Sequence, residues 1–214
     1  MQIQPSFRVP RGNDATSGVS ELLEVMQPAA VTFYPTDSTI YAQGDDAGPL
    51  YLVEFGMVRI CRMSADGRRL VSAFHSAGEV FGFEAASQHD SFAESVDGAG
   101  IRVLRPSCGE QPTGSVLKLA LKSLARTQHH LMLLGRCSAN ERMAAFLLDL
   151  ADRQGDEASV YLPMQRYDIA DYLGMTFETV SRVLRVLKDQ GLIRLRSISE
   201  VELVDPGALR ALAD

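Results

Sequence analysis

One short stretch groups side chains of the types that can tell base pairs apart: Phe177, Glu178, Ser181 and Arg182. An arginine fork matches the O6 and N7 of guanine, and a carboxylate accepts from the N4 amino group of cytosine. A hydroxyl bonds either kind of group, and an apolar side chain meets the thymine methyl. Val180, Val183, Leu184 and Leu187 recur at helical spacing on the opposite side. The spacing predicts a helix buried along its apolar face, with the four polar and aromatic groups near its exposed N-terminal end. That end of a recognition helix enters the major groove. Arg166, Thr179 and Arg185 are candidates for contacts to backbone phosphates, which position the protein without reading sequence.

A partner helix is needed to aim this one. Ile169, Ala170, Tyr172 and Leu173 form the apolar positions of a short helix just upstream. Gly174 suits the left-handed conformation that ends a helix, and Thr176 suits the cap of the next. Two helices joined by so tight a turn cross steeply, as in a helix-turn-helix. Gly191–Arg196 and Val201–Val204 alternate in β fashion and predict a hairpin, a wing whose Arg194 and Arg196 approach phosphates. Asp205-Pro206 opens a last helix to about Leu212. Upstream, Ser138 and Glu141 form a capping box for a helix with Met143, Ala144, Phe146, Leu147 and Leu150 inside, ended at Gln154-Gly155-Asp156.

With these elements in place, D-I-A-D-Y-L-G-M-T-F-E-T-V-S-R-V-L, from Asp168 to Leu184, resembles the signature of the CRP/FNR superfamily of bacterial transcription regulators. The E-x-x-S-R spacing of Glu178, Ser181 and Arg182 is similar to the FNR/FixK branch. The CRP branch has Arg at the position of Phe177 and Gly at that of Ser181. The resemblance implies that Glu178 and Arg182 read a G·C pair and Ser181 a neighbouring thymine, within a TTG-like half-site. Phe177 stands where that branch usually has a smaller aliphatic residue, and Gln165 where it usually has a Ser or Thr cap. The family also implies a parallel homodimer on an inverted repeat of double-stranded DNA, with RNA polymerase as the further partner of an activator.

The overall charge of −6 looks wrong for such a partner until it is divided. Residues 163–196 hold six basic and four acidic residues, net +2, whereas residues 1–162 hold fourteen and nineteen, net −5. The acidity lies away from the expected DNA face, so groove contacts should matter more than non-specific attraction. Cys61, Cys108 and Cys137 are odd in number, widely spaced and without a C-x-x-C, which predicts reduced thiols in a cytoplasm. No run is long and apolar enough for a membrane span.

Residues 1–18 read as an arm rich in Pro, Gly, Ser and Gln, and Val19–Met26 as a helix ended by Pro28. From Val31 to about Arg105, short alternating runs are cut by glycines, with Asp66-Gly67 as a hairpin turn. The spacing predicts a jelly roll or barrel. The stretch I-Y-A-Q-G-D-D-A-G-P-L-Y-L-V-E-F-G-M-V-R resembles the opening of the superfamily's cyclic-nucleotide-binding-like domain. A long helix follows to about Cys137. Leu117, Leu124 and Leu131 recur every seven residues with Leu121 and Leu134 beside them, the pattern of a helix packed on a partner helix or on its own barrel.

The fold class expected is α+β: an N-terminal jelly-roll β-barrel of the cyclic-nucleotide-binding kind, a long dimerisation helix and a C-terminal winged helix-turn-helix. The divisions fall at residues 1–18, 19–112, 113–137 and 138–214. Cyclic-nucleotide-binding relatives hold the phosphate with an R-S/T pair, but Phe92-Ala93-Glu94 stands there, a ring and a carboxylate. Residues 1–60 contain no Cys for the iron–sulfur cluster of FNR-type sensors. Of His75, His89, His129 and His130, His75 is the least poor axial ligand for haem. The expectation is therefore a regulator with no cofactor and no metal. A ligand- or haem-responsive regulator of the same superfamily is the alternative. A cupin-like enzyme would need a His/Glu metal set and would leave the C-terminal module unexplained. A protein-binding winged helix would not need Glu178 and Arg182 where they stand.

Overall fold

A computed structural model of the protein describes residues 19–24, 26–65, 67–106, 113–135 and 138–213. The arm, Cys108, Cys137 and Asp66 of the expected hairpin turn lie outside the described residues. The chain divides into two compact units. One runs up to Arg59 and resumes at Phe74–Ala120; the other joins Ile60–Ala73 to the chain from Leu121 onward.

Among the described residues of the N-terminal half are eight strands: β1 (Met26–Tyr34), β2 (Thr39–Tyr41), β3 (Leu50–Phe55), β4 (Met57–Met63), β5 (Arg69–Ser76), β6 (Val80–Phe81), β7 (Phe92–Ser95) and β8 (Ala99–Pro106). They fall into two four-stranded sheets, ordered β1-β8-β3-β6 and β2-β7-β4-β5. The expected jelly roll is present as two sheets with open edges and not as a closed barrel. Leu22, Met26, Leu50, Leu52, Val80 and Leu104 form a buried cluster, with Val116 and Leu119 of the long helix packed on it.

The expected helix over Val19–Met26 is shorter than the spacing suggests. Residues 19–24 are helical (α1), and Met26 already opens β1. Pro28 does not stop a helix; it pairs with Leu104 inside β1, just before a register shift at Val31. β1 is an edge strand, where a residue without an N–H is tolerated.

Between β3 and β4 the chain bends at Gly56, whose φ is +79°, and passes from one sheet to the other. A Cβ there would lie 2.1 Å from the Gly98 carbonyl oxygen. Sterics and backbone conformation thus both demand glycine.

In the second unit, α3 (Ala139–Gln154), β9 (Ser159–Tyr161), α4 (Arg166–Leu173), α5 (Phe177–Asp189), β10 (Ile193–Leu195), β11 (Glu200–Leu203) and α6 (Pro206–Ala213) follow the long helix α2 (Thr113–Leu134). Ser138 and Glu141 form the reciprocal capping box of α3, and Gly155 ends that helix at φ 65°. Asp205 caps α6, its Oδ1 accepting from the Ala208 N–H at 2.9 Å. The wing has a third strand that the sequence pattern did not mark: β9 pairs antiparallel with β11. Among the described residues no helix is long and apolar enough to cross a membrane.

Gly56→Ala should cost on the order of 2–4 kcal/mol of stability through strain and overlap. A lowered urea midpoint at unchanged slope would show it; a midpoint within error of wild type would mean the turn can open.

Candidate nucleic-acid interface

Helix α4 ends at Gly174, whose φ of 61° is left-handed and whose N–H returns to the Ala170 carbonyl. Two residues later Thr176 caps α5, its hydroxyl accepting from the Thr179 N–H at 3.2 Å. Val180, Val183, Leu184 and Leu187 are buried. Glu178, Arg182 and Arg185 are exposed, and Phe177, Thr179 and Ser181 half-buried. Opposite demands on the two faces therefore fix the rotation of α5 about its own axis.

Chemistry at the first turn is equally defined. The Glu178 carboxyl is held below its usual range by its own backbone N–H and by the Thr176 hydroxyl. It stays ionised and is an acceptor only. Thr179, expected at phosphate, has its hydroxyl 3.1 Å from that of Thr176 as well as its N–H on the cap. Arg185 projects into solvent, 83% exposed, with Nε 3.7 Å from Asp189. Arg166 sits against one of the expected base readers: its Nη1 donates to Ser181 Oγ at 3.2 Å. Gln165 is the N-cap of α4 and makes no side-chain capping bond.

Tyr167 was not singled out by sequence. Its ring stacks on that of Phe177, with centroids 4.4 Å apart and planes at 21°. Ten residues separate the two, and only the crossing of α4 over α5 makes them neighbours.

Three residues outside the reading face hold α4. Asp168 is buried, and Arg69 of β5 meets it at 2.5 Å and Asp171 at 2.8 Å. The His130 ring stacks on Tyr172 at 3.9 Å, and its Nε2–H donates to the Tyr172 carbonyl at 2.7 Å. Arg142 Nη1 donates to the carbonyls of Leu173 (3.1 Å) and Gly174 (3.4 Å), satisfying acceptors that the end of a helix leaves open.

On the wing, Glu202 gathers both expected phosphate contacts. Arg194 Nη1 donates to its two oxygens at 3.1 and 2.9 Å, and Arg196 Nε lies 2.6 Å away. Desolvation pushes the Glu202 carboxyl up, but the Arg196 hydrogen bond and both guanidinium charges outweigh it and hold the carboxyl low.

The long helix exposes Leu117, Leu121, Leu124 and Leu131, each more than half, and Met132 beside them. Leu134 departs from that stripe: it is half-buried, its Cδ2 3.6 Å from where a Cβ on Gly174 would lie.

Within the N-terminal unit, Glu94 accepts from buried Arg59 at 2.9 Å, and Asp37 takes a second guanidinium nitrogen at 2.9 Å. A nucleotide phosphate near β7 would thus face a carboxylate rather than a free guanidinium. His75 is buried with Nδ1 3.6 Å from Glu79 and its ring stacked on Phe81. His89 Nδ1 lies 3.2 Å from Glu84, and its ring stacks on Tyr41 at 3.6 Å. Cys61 is a buried thiol outside any disulfide.

Comparison with known proteins matches residues 141–212 to the Crp-like helix-turn-helix domain and residues 31–97 to the cyclic nucleotide-binding domain. The nitrogen fixation regulation protein FixK of Rhizobium meliloti (strain 1021) is 46% identical over 187 residues, covering 87% of this chain and 89% of that protein. The FixK of Azorhizobium caulinodans is 41% identical, covering 84% of this chain and 77% of that protein. The chain belongs to the FixK-like branch of the CRP/FNR family. The solved structure of FixK2 from Bradyrhizobium japonicum agrees, with a TM-score of 0.80 at 35% identity, covering 89% of this chain and 98% of that one. The FixK-like protein is a DNA-binding transcription regulator of the FNR/FixK type, and α4 and α5 are its helix-turn-helix.

The His130 contact predicts that the stability of this regulator depends on pH. Burial lowers the His130 pKa below the ordinary histidine value near 6.5, against the pull of the Tyr172 and Ser72 backbone groups and Asp149 and with His129 adding to the lowering. A histidine depressed in the folded state contributes stability above its unfolded pKa and loses it as pH falls through the folded value. Between about pH 7.5 and 5 wild type should therefore lose more stability than His130→Gln, measured by urea melts; parallel losses would show that His130 is not the titrating group.

Proposed function

We propose that this regulator binds as a homodimer to an inverted repeat with TTG-like half-sites and activates transcription in the cytoplasm by recruiting RNA polymerase. The single observation that carries the reading is the exposed face of the first two turns of α5. There Arg182 stands exposed beside an ionised Glu178 on the face opposite the buried ridge, the pair needed for the two halves of a G·C pair.

Dimerisation is supported by the stripe of Leu117, Leu121, Leu124 and Leu131, four half-exposed leucines on one helix, interrupted by Thr127 and Gln128, that a partner helix would cover. Paired along these residues, with Leu134 at the margin, two copies would set their α5 helices about one DNA turn apart, roughly 34 Å. The working division is then an N-terminal arm at 1–18, a sensor-like domain at 19–112, the dimer helix at 113–137 and the DNA module at 138–214. Phe177, Glu178, Ser181 and Arg182 read bases in this scheme. Arg185, with Thr179 and the remaining guanidinium donors of Arg166, reaches phosphates.

Arg182→Ala should weaken binding to the cognate repeat by roughly 1–3 kcal/mol and abolish preference at the guanine, while binding to scrambled DNA survives. Titrations against both duplexes decide it, and equal losses on the two would contradict the assignment.

The Glu202 pairing supports a second outcome. Glu202→Gln releases Arg194 and Arg196, so affinity for scrambled duplex should rise and its salt dependence steepen by about one counterion or more. An unchanged slope would mean the wing does not approach DNA.

A further inference from the structure

Phe177 is the first residue of α5, at the end of the helix that reading places in the groove. A lone aromatic ring at such an end would have two free torsions. Here the Tyr167 ring lies against it at 4.4 Å and 21°, a stacked geometry that fixes its plane. Tyr167 is itself 59% exposed, so the pair forms one continuous apolar wall open on its outer side. The same turn of α4 supports a second reader, since Arg166 donates to Ser181 Oγ and leaves that hydroxyl its proton to give. Ser181 stands four residues after Phe177, on the same side of the helix.

We propose that Tyr167 is a positioning residue for base recognition, holding Phe177 against the C5-methyl group of one thymine in the half-site. Thymine is the only ordinary base that carries a methyl group into the major groove. A rigid aromatic wall removes water from that methyl, and a swinging ring does not. The inference deepens the DNA-reading function proposed above and rests on it. It adds a discriminating contact at the position where Phe177 replaces a smaller side chain.

Uracil tests it, because it lacks only the methyl and keeps the O4 acceptor. The full-length regulator is titrated against its cognate duplex with each half-site thymine replaced in turn by uracil. Wild type should show one position at which the change weakens binding about fourfold per half-site, the worth of a methyl leaving apolar contact. In Tyr167→Ala that ratio should fall below about 1.5-fold, while preference at the guanine read by Arg182 stays intact. Tyr167→Phe, which keeps the stack and lacks the hydroxyl, should keep the wild-type ratio. Intact guanine preference also reports that the helix pair is folded. If the alanine variant loses it, Tyr167→Leu, apolar but unable to stack, takes its place with the same expectation. A wild type indifferent to uracil at every position, or a ratio unchanged without the Tyr167 ring, overturns the inference while leaving the wider reading in place. A wild type with no preference for any symmetric duplex over its shuffled copy overturns both.

Discussion

The burial of one side of α5 is the constraint on which the rest of the second unit depends. Val180, Val183, Leu184 and Leu187 leave no freedom to rotate the helix without exposing a ridge of apolar side chains. Burying each is worth about 1.5–3 kcal/mol. The rotation so fixed places Glu178 and Arg182 outward and Phe177 and Ser181 at the margin. The Thr176 cap then fixes where the helix begins, which decides how far its first turn projects. Recognition chemistry is thus set by packing that touches no ligand.

Helix α4 serves the same end from outside. A buried carboxylate, Asp168, is matched by Arg69 from a strand 99 residues away in sequence, while His130 and Arg142 take the carbonyls at the C-terminal end of the helix. Removing one partner of such a buried pair costs more than the pair contributes, because the remaining charge is left unmatched. The consequence is an α4 that is held at Asp168 and Asp171 by Arg69 and at its C-terminal end by His130 and Arg142, and that carries Arg166 and Tyr167 against α5. Charge follows a similar economy on the wing, where Glu202 engages two arginines that would otherwise attract any duplex. Together with the net charge of −6, this favours a protein that relies on groove contacts over indiscriminate attraction to phosphate.

Much of this was legible in the sequence, for reasons specific to each element. The two faces of α5, the Gly174 turn and the Thr176 cap are local patterns, and local patterns survive into the fold. The strand runs of the N-terminal half were equally readable, because glycines punctuate them. Three features were not. Pro28 reads as a helix stop, yet an edge strand accepts it. Ser159–Tyr161 is too short to show alternation and becomes a strand only because β11 offers a partner. The contacts Arg69–Asp168, Arg166–Ser181 and Tyr167–Phe177 depend on how elements cross, which no periodicity encodes. The first organises the support of the site, and the other two bear directly on the readers.

The central claim is that two copies of α5, held by one scaffold, read two halves of a symmetric site. Selection of bound duplexes from a random pool with purified full-length protein tests it most directly. The account predicts an enriched inverted repeat of TTG-like half-sites with centres about one helical turn apart. Enrichment of a single unpaired half-site, or of no sequence at all, would contradict it.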